Sequence, residues 1–378
     1  MKVVIAPDKL KDALNAPEVA DAIAAGVRDA MPDATIDCCP ISDGGGGFVD
    51  AMIAAIGGQR VMRRVTGPLP EMRVEATFGV LNTTPKTAVI EMSSASGIAL
   101  LPVAERNPLY TTTFGAGELI RAAVEMGCRR IILGIGGSAT CDAGIGCAQA
   151  CGLPVLMDDG ETVHDSEPLC GRDVERVRLV KHGRGSVVEG VEFVVASDVT
   201  NPLYGANGSA RVFGPQKGAS PDEVDRLDAA LEQLARRQNA LDLAHTPGAG
   251  AAGGLGFGMM AFFRATLTPG AAMVIDATRL RDRLAGAHLC FTAEGCVDAT
   301  SAGGKATGAV ARLCAELGVP CVVLAGAVND AAVLEGAGAT ACLGIADRPM
   351  QLAESLARSA VLLRQTAGAV MRIRAAAR

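Results

Sequence analysis

The chain has 378 residues, 49% hydrophobic and 20% charged, with a net charge of -6 and a pI near 5.4. That length suits two domains, and that apolar content excludes a disordered chain. The acidic balance, with 3% aromatics and no Trp, argues against nucleic acid as a partner, and no uninterrupted apolar stretch long enough to span a membrane is present.

Residues 2–6 read as a strand ended by Pro7-Asp8. Residues 15–31 read as a helix, with Asn15 as N-cap, Pro17 in the first turn and Glu18 favourable to the helix dipole. A second strand, 35–41, leads into a run of glycines and a helix over 49–56. Residues 61–79 and 87–92 look more antiparallel, broken by Thr66-Gly67-Pro68. A helix over 117–126, strands over 130–133 and 191–196, and a long amphipathic helix over 221–241 follow. Strands 288–292, 319–325 and 340–345 then alternate with helices 305–317 and 330–335, and a helix over 350–377 closes the chain. The expected fold class is α/β. A doubly wound parallel-sheet domain comes from both chain ends, residues 1–65 plus 281–378, with an inserted α/β, mixed-sheet domain over 66–280. The 12 cysteines form no C-x-x-C pair, and Cys141, Cys147 and Cys151 lack zinc spacing. They read as small core residues of a chain in the reducing cytoplasm.

Six loops carry candidate chemistry. After the first strand, Asp8 suits a metal ligand or base, and Lys9 or Lys11 suits phosphate. In the second, Asp43, Gly44 and Gly45 precede a helix, where free amides and the helix dipole attract an anion. In the third, Gly136, Gly137 and Ser138 lie in a strand-end cradle that also satisfies G-x-G-x-x-A. That fingerprint supports an alternative, an NAD(P)-dependent dehydrogenase of a small hydroxy acid, although Asp158-Asp159 follows no clear strand. The fourth offers Asp198 to accept a hydroxyl proton, with Asn201, Arg211 and Lys217 to bind a small organic acid. The fifth, 247–256, holds a literal G-x-G-x-x-G with no strand before it, so close packing on a ligand or another backbone is the better reading. The sixth offers Glu294 and Asp298 as magnesium ligands and Lys305 for phosphate, without the pattern of a Walker A loop. None of the four histidines lies in these loops, and no G-x-S-x-G elbow occurs.

These loops, in this order, make the chain resemble the type I glycerate kinase family, the glycerate 2-kinases. The resemblance rests on Ala6-Pro7-Asp8, Asp43-Gly44-Gly45, Glu91-Met92, Ala95-Ser96-Gly97, the 134–140 and 198–203 loops, Phe213-Gly214-Pro215-Gln216-Lys217-Gly218 and 247–254. It implies ATP and Mg2+ as cofactors and D-glycerate as acceptor. It implies 2-phosphoglycerate as product, with 3-phosphoglycerate the other regiochemistry, and two α/β domains with the site in the cleft between them. The 136–138 amides would cradle phosphates, Glu294 or Asp298 would hold magnesium, Lys11 or Lys305 would offset charge, and Asp198 would act as base. The chain departs from the family at Gly46 (usually Glu), Ala293 (Gly), Cys296 (Arg) and Thr300 (Gln). Those departures make a catalytically silent ligand-binding homologue the non-enzyme alternative. A monomer or homodimer is expected.

Overall fold

The computed structural model describes residues 1–42, 44–163, 167–181, 186–299, 301–303 and 305–376. The chain divides into two compact units: Met1–Asp43 with Ala271–Arg378, and Gly44–Gly270.

The terminal unit is built on five parallel strands. They are β1 (Lys2–Ile5), β2 (Thr35–Cys38), β12 (Leu289–Val297), β13 (Cys321–Val328) and β14 (Ala341–Gly344), in the spatial order β14-β13-β12-β1-β2. Strand order reverses between β1 and β12, the place where open parallel sheets hold ligands beyond the strands' carboxyl ends. In β12, Leu289, Phe291 and Ala293 join a core with Val19 and Ile23 of helix Ala16–Ala30 and Leu362 and Met371 of helix Leu352–Ala376. The pleat turns Cys290, Thr292 and Glu294 to the other face. Asn15 caps the first helix as expected: its side chain accepts from the Glu18 amide at 2.9 Å, and the Glu18 carboxylate accepts from the Asn15 amide at 2.9 Å. Such a cap contributes roughly 1 kcal/mol.

β12 outruns the sequence expectation, which ended it at Thr292. An equally extended β13 stays beside it, with Glu294 opposite Ala325 and Val297 opposite Val328. Glu294 therefore lies inside a strand, not in a loop beyond one. Ala-Glu-Gly-Cys carries little β signal of its own, and the paired neighbour supplies the preference.

The second unit carries β3 (Gly58–Thr66), β4 (Arg73–Leu81), β5 (Thr87–Glu91), β6 (Arg130–Gly134), β10 (Glu192–Ala196) and β11 (Thr266–Thr268), ordered β11-β10-β6-β5-β4-β3. β5, β6, β10 and β11 are parallel, whereas β3 and β4 pair antiparallel. A small antiparallel sheet of β7 (Val155–Met157), β8 (Thr162–Val163) and β9 (Val177–Val180) lies apart from it in pairing. Helix Phe48–Ile56 and β3 belong to this unit although the sequence reading grouped them with the chain ends. β3 pairs along its length with β4, and Val49 and Ile53 sit directly over Gly79. Register brings the carboxyl ends of the parallel strands level: Glu91 beside Gly134, Gly134 beside Ala196, Ala196 beside Thr268. The loops after β5, β6 and β10 thus leave from one edge.

The glycine run at 247–256 buttresses two of those loops. Helix Ala251–Phe263 opens with Ala252, Gly253 and Gly254 in the left-handed region, at φ 53, 70 and 86°. The Gly253 carbonyl accepts from the Ala143 amide at 3.0 Å, and the Gly250 amide donates to the Asn201 carbonyl at 2.9 Å. A β-carbon at Gly253 would overlap the Thr140 carbonyl oxygen, and one at Gly250 would overlap that of Pro202. The motif serves backbone-on-backbone packing. Gly253→Ala is expected to cost roughly 2–4 kcal/mol, summing overpacking and a left-handed alanine. A urea midpoint equal to that of the parent chain would contradict this account.

Candidate functional site

Each unit gathers its own group of candidate residues. In the terminal unit, the Asp8 amide donates to the Ala293 carbonyl at 3.0 Å, which holds the turn after β1 against β12. The Asp8 carboxylate accepts from the Lys9 amide at 2.7 Å. A β-carbon on Gly295 would lie 3.3 Å from the Lys11 nitrogen, so Gly295 lets that turn approach closely. Glu294 is 7% exposed. Its Oε2 accepts from Ser301 Oγ at 3.1 Å, and Ser301 Oγ accepts from the Asp298 amide at 3.1 Å. Lys305 Nζ stands 3.9 Å from Glu294 Oε2 and 3.6 Å from Asp298 Oδ1. The structure thus collects Asp8, Lys11, Glu294, Asp298 and Lys305 at the sheet's reversal point. Oxygen donors of this kind suit a hard divalent cation, and the Lys305 ammonium already lies beside both carboxylates.

Two of the departures noted in the sequence, Ala293 and Cys296, have local surroundings that accommodate them. The Ala293 methyl is absorbed by the core. Cys296 is half-buried and its sulfur takes the Asn329 Nδ2 hydrogen at 3.4 Å. Asp43 and Thr300 lie outside the described residues.

In the second unit, the loop after β6 is laced on both sides. Ile98 donates to the Gly137 carbonyl and Ala139 to the Ser96 carbonyl, each at 2.9 Å. Gly136 donates to the Gly44 carbonyl at 3.4 Å and Ile135 to the Ala196 carbonyl at 3.3 Å. Gly137 forms the exposed tip at φ 75°, and the amides of Gly137 and Ser138 take no part in this lacing. Under the tip lies Lys217, 4% exposed, whose Nζ donates to Ser138 Oγ at 2.8 Å and to the Thr140 carbonyl at 2.7 Å. Burial pushes the Lys217 ammonium down to about 8. The loop's far end is pinned by Asp142, fully buried, which accepts from the Thr113 amide at 2.8 Å, Thr113 Oγ1 at 2.7 Å and the Gly144 amide at 3.1 Å. Burial pushes the Asp142 carboxyl up, against the pull of those bonds.

Arg211 and Lys217 do not act as a pair. Arg211 is drawn to the helix Pro221–Arg237, with Nε 3.1 Å from Asp228 Oδ2 and Nη1 2.8 Å from Asp225 Oδ1. Asn201 Nδ2 donates to the Asn207 carbonyl at 2.8 Å. Asp198 stands half-buried, two residues past β10.

The glycines before helix Phe48–Ile56 work differently from the expected anion cradle. The Gly47 and Val49 amides each donate to Glu91 Oε1 at 2.9 Å, so the chain's own carboxylate serves that helix start. Gly44 and Gly45 allow loop-on-loop packing. A β-carbon on Gly136 would sit 2.9 Å from Gly45 Cα, and one on Gly44 would sit 2.9 Å from the Ala196 oxygen. In the sequence Glu91 stands out only through the Glu91-Met92 family motif, which assigns it no partner. Glu91→Ala is expected to destabilise the chain by about 1.5–3 kcal/mol, because two amides lose a charged acceptor. Inorganic phosphate should raise the variant's urea midpoint more than the parent's; an equal response would refute the anion-site reading of these amides.

The dinucleotide fingerprint at 134–139 does not open a helix, since the loop runs on to Gly144 before helix Ile145–Ala150. Asp158 and Asp159 follow β7 of the small antiparallel sheet. The geometry a Rossmann dehydrogenase requires is therefore lacking there.

Acidic and lysine side chains at the reversal point of one unit's sheet, and a glycine tip over a buried ammonium in the other unit, are groups of the kind that phosphoryl transfer in the kinase class uses. The sequence profile of the glycerate kinase family matches residues 3–375. The chain is 40% identical over 370 residues to a glycerate kinase of Halalkalibacterium halodurans, covering 97% of this chain and 96% of the relative. It is 42% identical over 335 residues to the glycerate 2-kinase of Escherichia coli K12, covering 87% and 86%. The crystal structure of a candidate glycerate kinase 2 from Salmonella typhimurium LT2 superposes with a TM-score of 0.82 at 39% identity, over 100% of this chain and 99% of that one. The chain belongs to the glycerate kinase family. Among the described residues, no helix is long and apolar enough to cross a membrane.

Proposed function

We propose that this chain transfers the terminal phosphoryl group of ATP to the 2-hydroxyl of D-glycerate, giving 2-phosphoglycerate. The observation that carries the reading is the exposed Gly137 tip, with the Gly137 and Ser138 amides left out of the loop's lacing and the Lys217 ammonium bonded to Ser138 beneath. Amides and a buried cation at one place stabilise phosphate oxygens without reorganising during the reaction. Glu294 and Asp298, with Asp8 nearby, would hold Mg2+, and Lys11 and Lys305 would offset phosphate charge. When bound, magnesium neutralises and orients phosphate oxygens. Asp198 accepts the proton of the attacking glycerate hydroxyl. Asn201 and the donors that Arg211 keeps beyond its two ion pairs bind the glycerate carboxylate. The cysteines, all unbridged, suit the reducing cytoplasm.

The test is an assay with Mg-ATP and D-glycerate, the product read by phosphorus NMR. 2-Phosphoglycerate is the expected product. 3-Phosphoglycerate would overturn the regiochemistry, and glycerate binding without turnover would establish a silent homologue.

A further inference from the structure

The terminal unit also holds three cysteines that phosphoryl transfer does not use. Cys290 lies in β12 and Cys321 opens β13, and the two are Cα partners in the parallel ladder. Partners in register present their side chains on the same face of a sheet. Cys314 lies in the last turn of helix Ala306–Glu316. The short turn 317–320 then returns the chain to β13, held by the Val319 amide on the Cys314 carbonyl at 2.9 Å. All three residues are 0% exposed, and their sulfurs lie within 4.8 Å of one another. The strongest electrostatic influences on these thiols come from burial and from the other thiols of the trio, with Cys342 a further one for Cys321. Cys342 lies outside the trio, since its sulfur is not within 4.8 Å of all three, and it sits 3.8 Å from the Ala331 carbonyl oxygen.

This setting restricts the ligand. Three sulfurs select a thiophilic ion, and structural zinc would call for a fourth protein ligand. Net charge is costly in an apolar interior with no counter-ion. Three thiolates around a monovalent or divalent ion leave a negative site, whereas around a trivalent ion the product is neutral. We propose that Cys290, Cys314 and Cys321 form a binding site for a trivalent thiophilic species of the arsenite class. Arsenous acid, As(OH)3, would exchange its three As–O bonds for three As–S bonds. The three thiol protons would leave with the hydroxyls as three waters, and no oxidation would occur. The bound ion would staple helix Ala306–Glu316 to β12 and β13.

The experiment treats the full chain with sodium arsenite and reads native mass spectrometry, arsenic X-ray absorption and the urea midpoint. One arsenic per chain on three sulfurs, with a raised midpoint, is expected. Cys314→Ala should abolish that uptake, while Cys147→Ala, which alters a separate buried thiol pair with Cys151, should retain it. No uptake, two-sulfur coordination, unchanged three-sulfur uptake in Cys314→Ala, or loss of uptake in Cys147→Ala would each overturn the proposal. X-ray absorption on the unaltered chain decides the matter even where a variant fails to fold.

Discussion

Asp198→Asn is expected to lower kcat for glycerate phosphorylation by about 10²–10⁴-fold, the range a general base contributes. The loss should fall on kcat far more than on KM, because the proton moves only as the reaction proceeds. Folding should be nearly unaffected. The Ser197 amide is anchored on the Thr268 carbonyl at 3.0 Å, the Val199 amide on Ser197 Oγ at 3.3 Å, and the Asn201 carbonyl by the Gly250 amide at 2.9 Å. Asparagine keeps the size and shape of the aspartate side chain and leaves these backbone bonds in place, so the urea midpoint should change far less than kcat. Steady-state kinetics beside a urea titration checks both halves. Near-parental turnover would remove Asp198 from the mechanism.

Lys217→Met is the second large effect, about 10²–10³-fold in kcat, the usual loss when one preorganised donor is removed from developing charge. Lys217→Arg should not restore the rate, since a planar fork cannot meet Ser138 Oγ and the Thr140 carbonyl as an ammonium does. pH gives a separate signature. The folded chain releases the Lys217 proton near pH 8, whereas the unfolded chain holds it to the ordinary 10.5. Between those values the unfolded state binds more protons, so this residue makes stability rise with pH across that window. Below about pH 8 both states are protonated, and the cost of burying the ammonium is fully present. Activity moves the other way, falling as pH passes about 8 and the cation is lost. Rate and urea midpoint measured from pH 7 to 10 should therefore diverge in the parent, and the Lys217 part of both trends should vanish in Lys217→Met. A parent rate that stays flat across pH 8 would show that the ammonium is not needed.

Much of the architecture was legible along the chain because it rests on local chemistry. Asn15, Pro17 and Glu18 write a helix start in neighbouring residues, and short apolar runs alternating with helices signal parallel strands. The loop motifs likewise named the family, and they placed Gly137, Ser138 and Asp198 just past strands. What those residues contact was not legible, since partners distant in sequence set it. Glu294 lies in a strand only because β13 runs beside it. The helix after the glycine run receives its carboxylate from Glu91, and Arg211 is taken by Asp225 and Asp228. The three-sulfur group has no spacing signature, because a ladder register and an αβ turn assemble it.

The sequence by itself determined the α/β class, the family and the residue types at the loop tips, since backbone preference and side-chain chemistry travel with each residue. Tertiary structure alone decided which glycines hold backbone against backbone, which cations are free to meet an anion, and that Lys217 lies buried under Ser138. A residue's pKa and hydrogen-bond partners depend on what surrounds it in space, and the order of residues along the chain does not specify that.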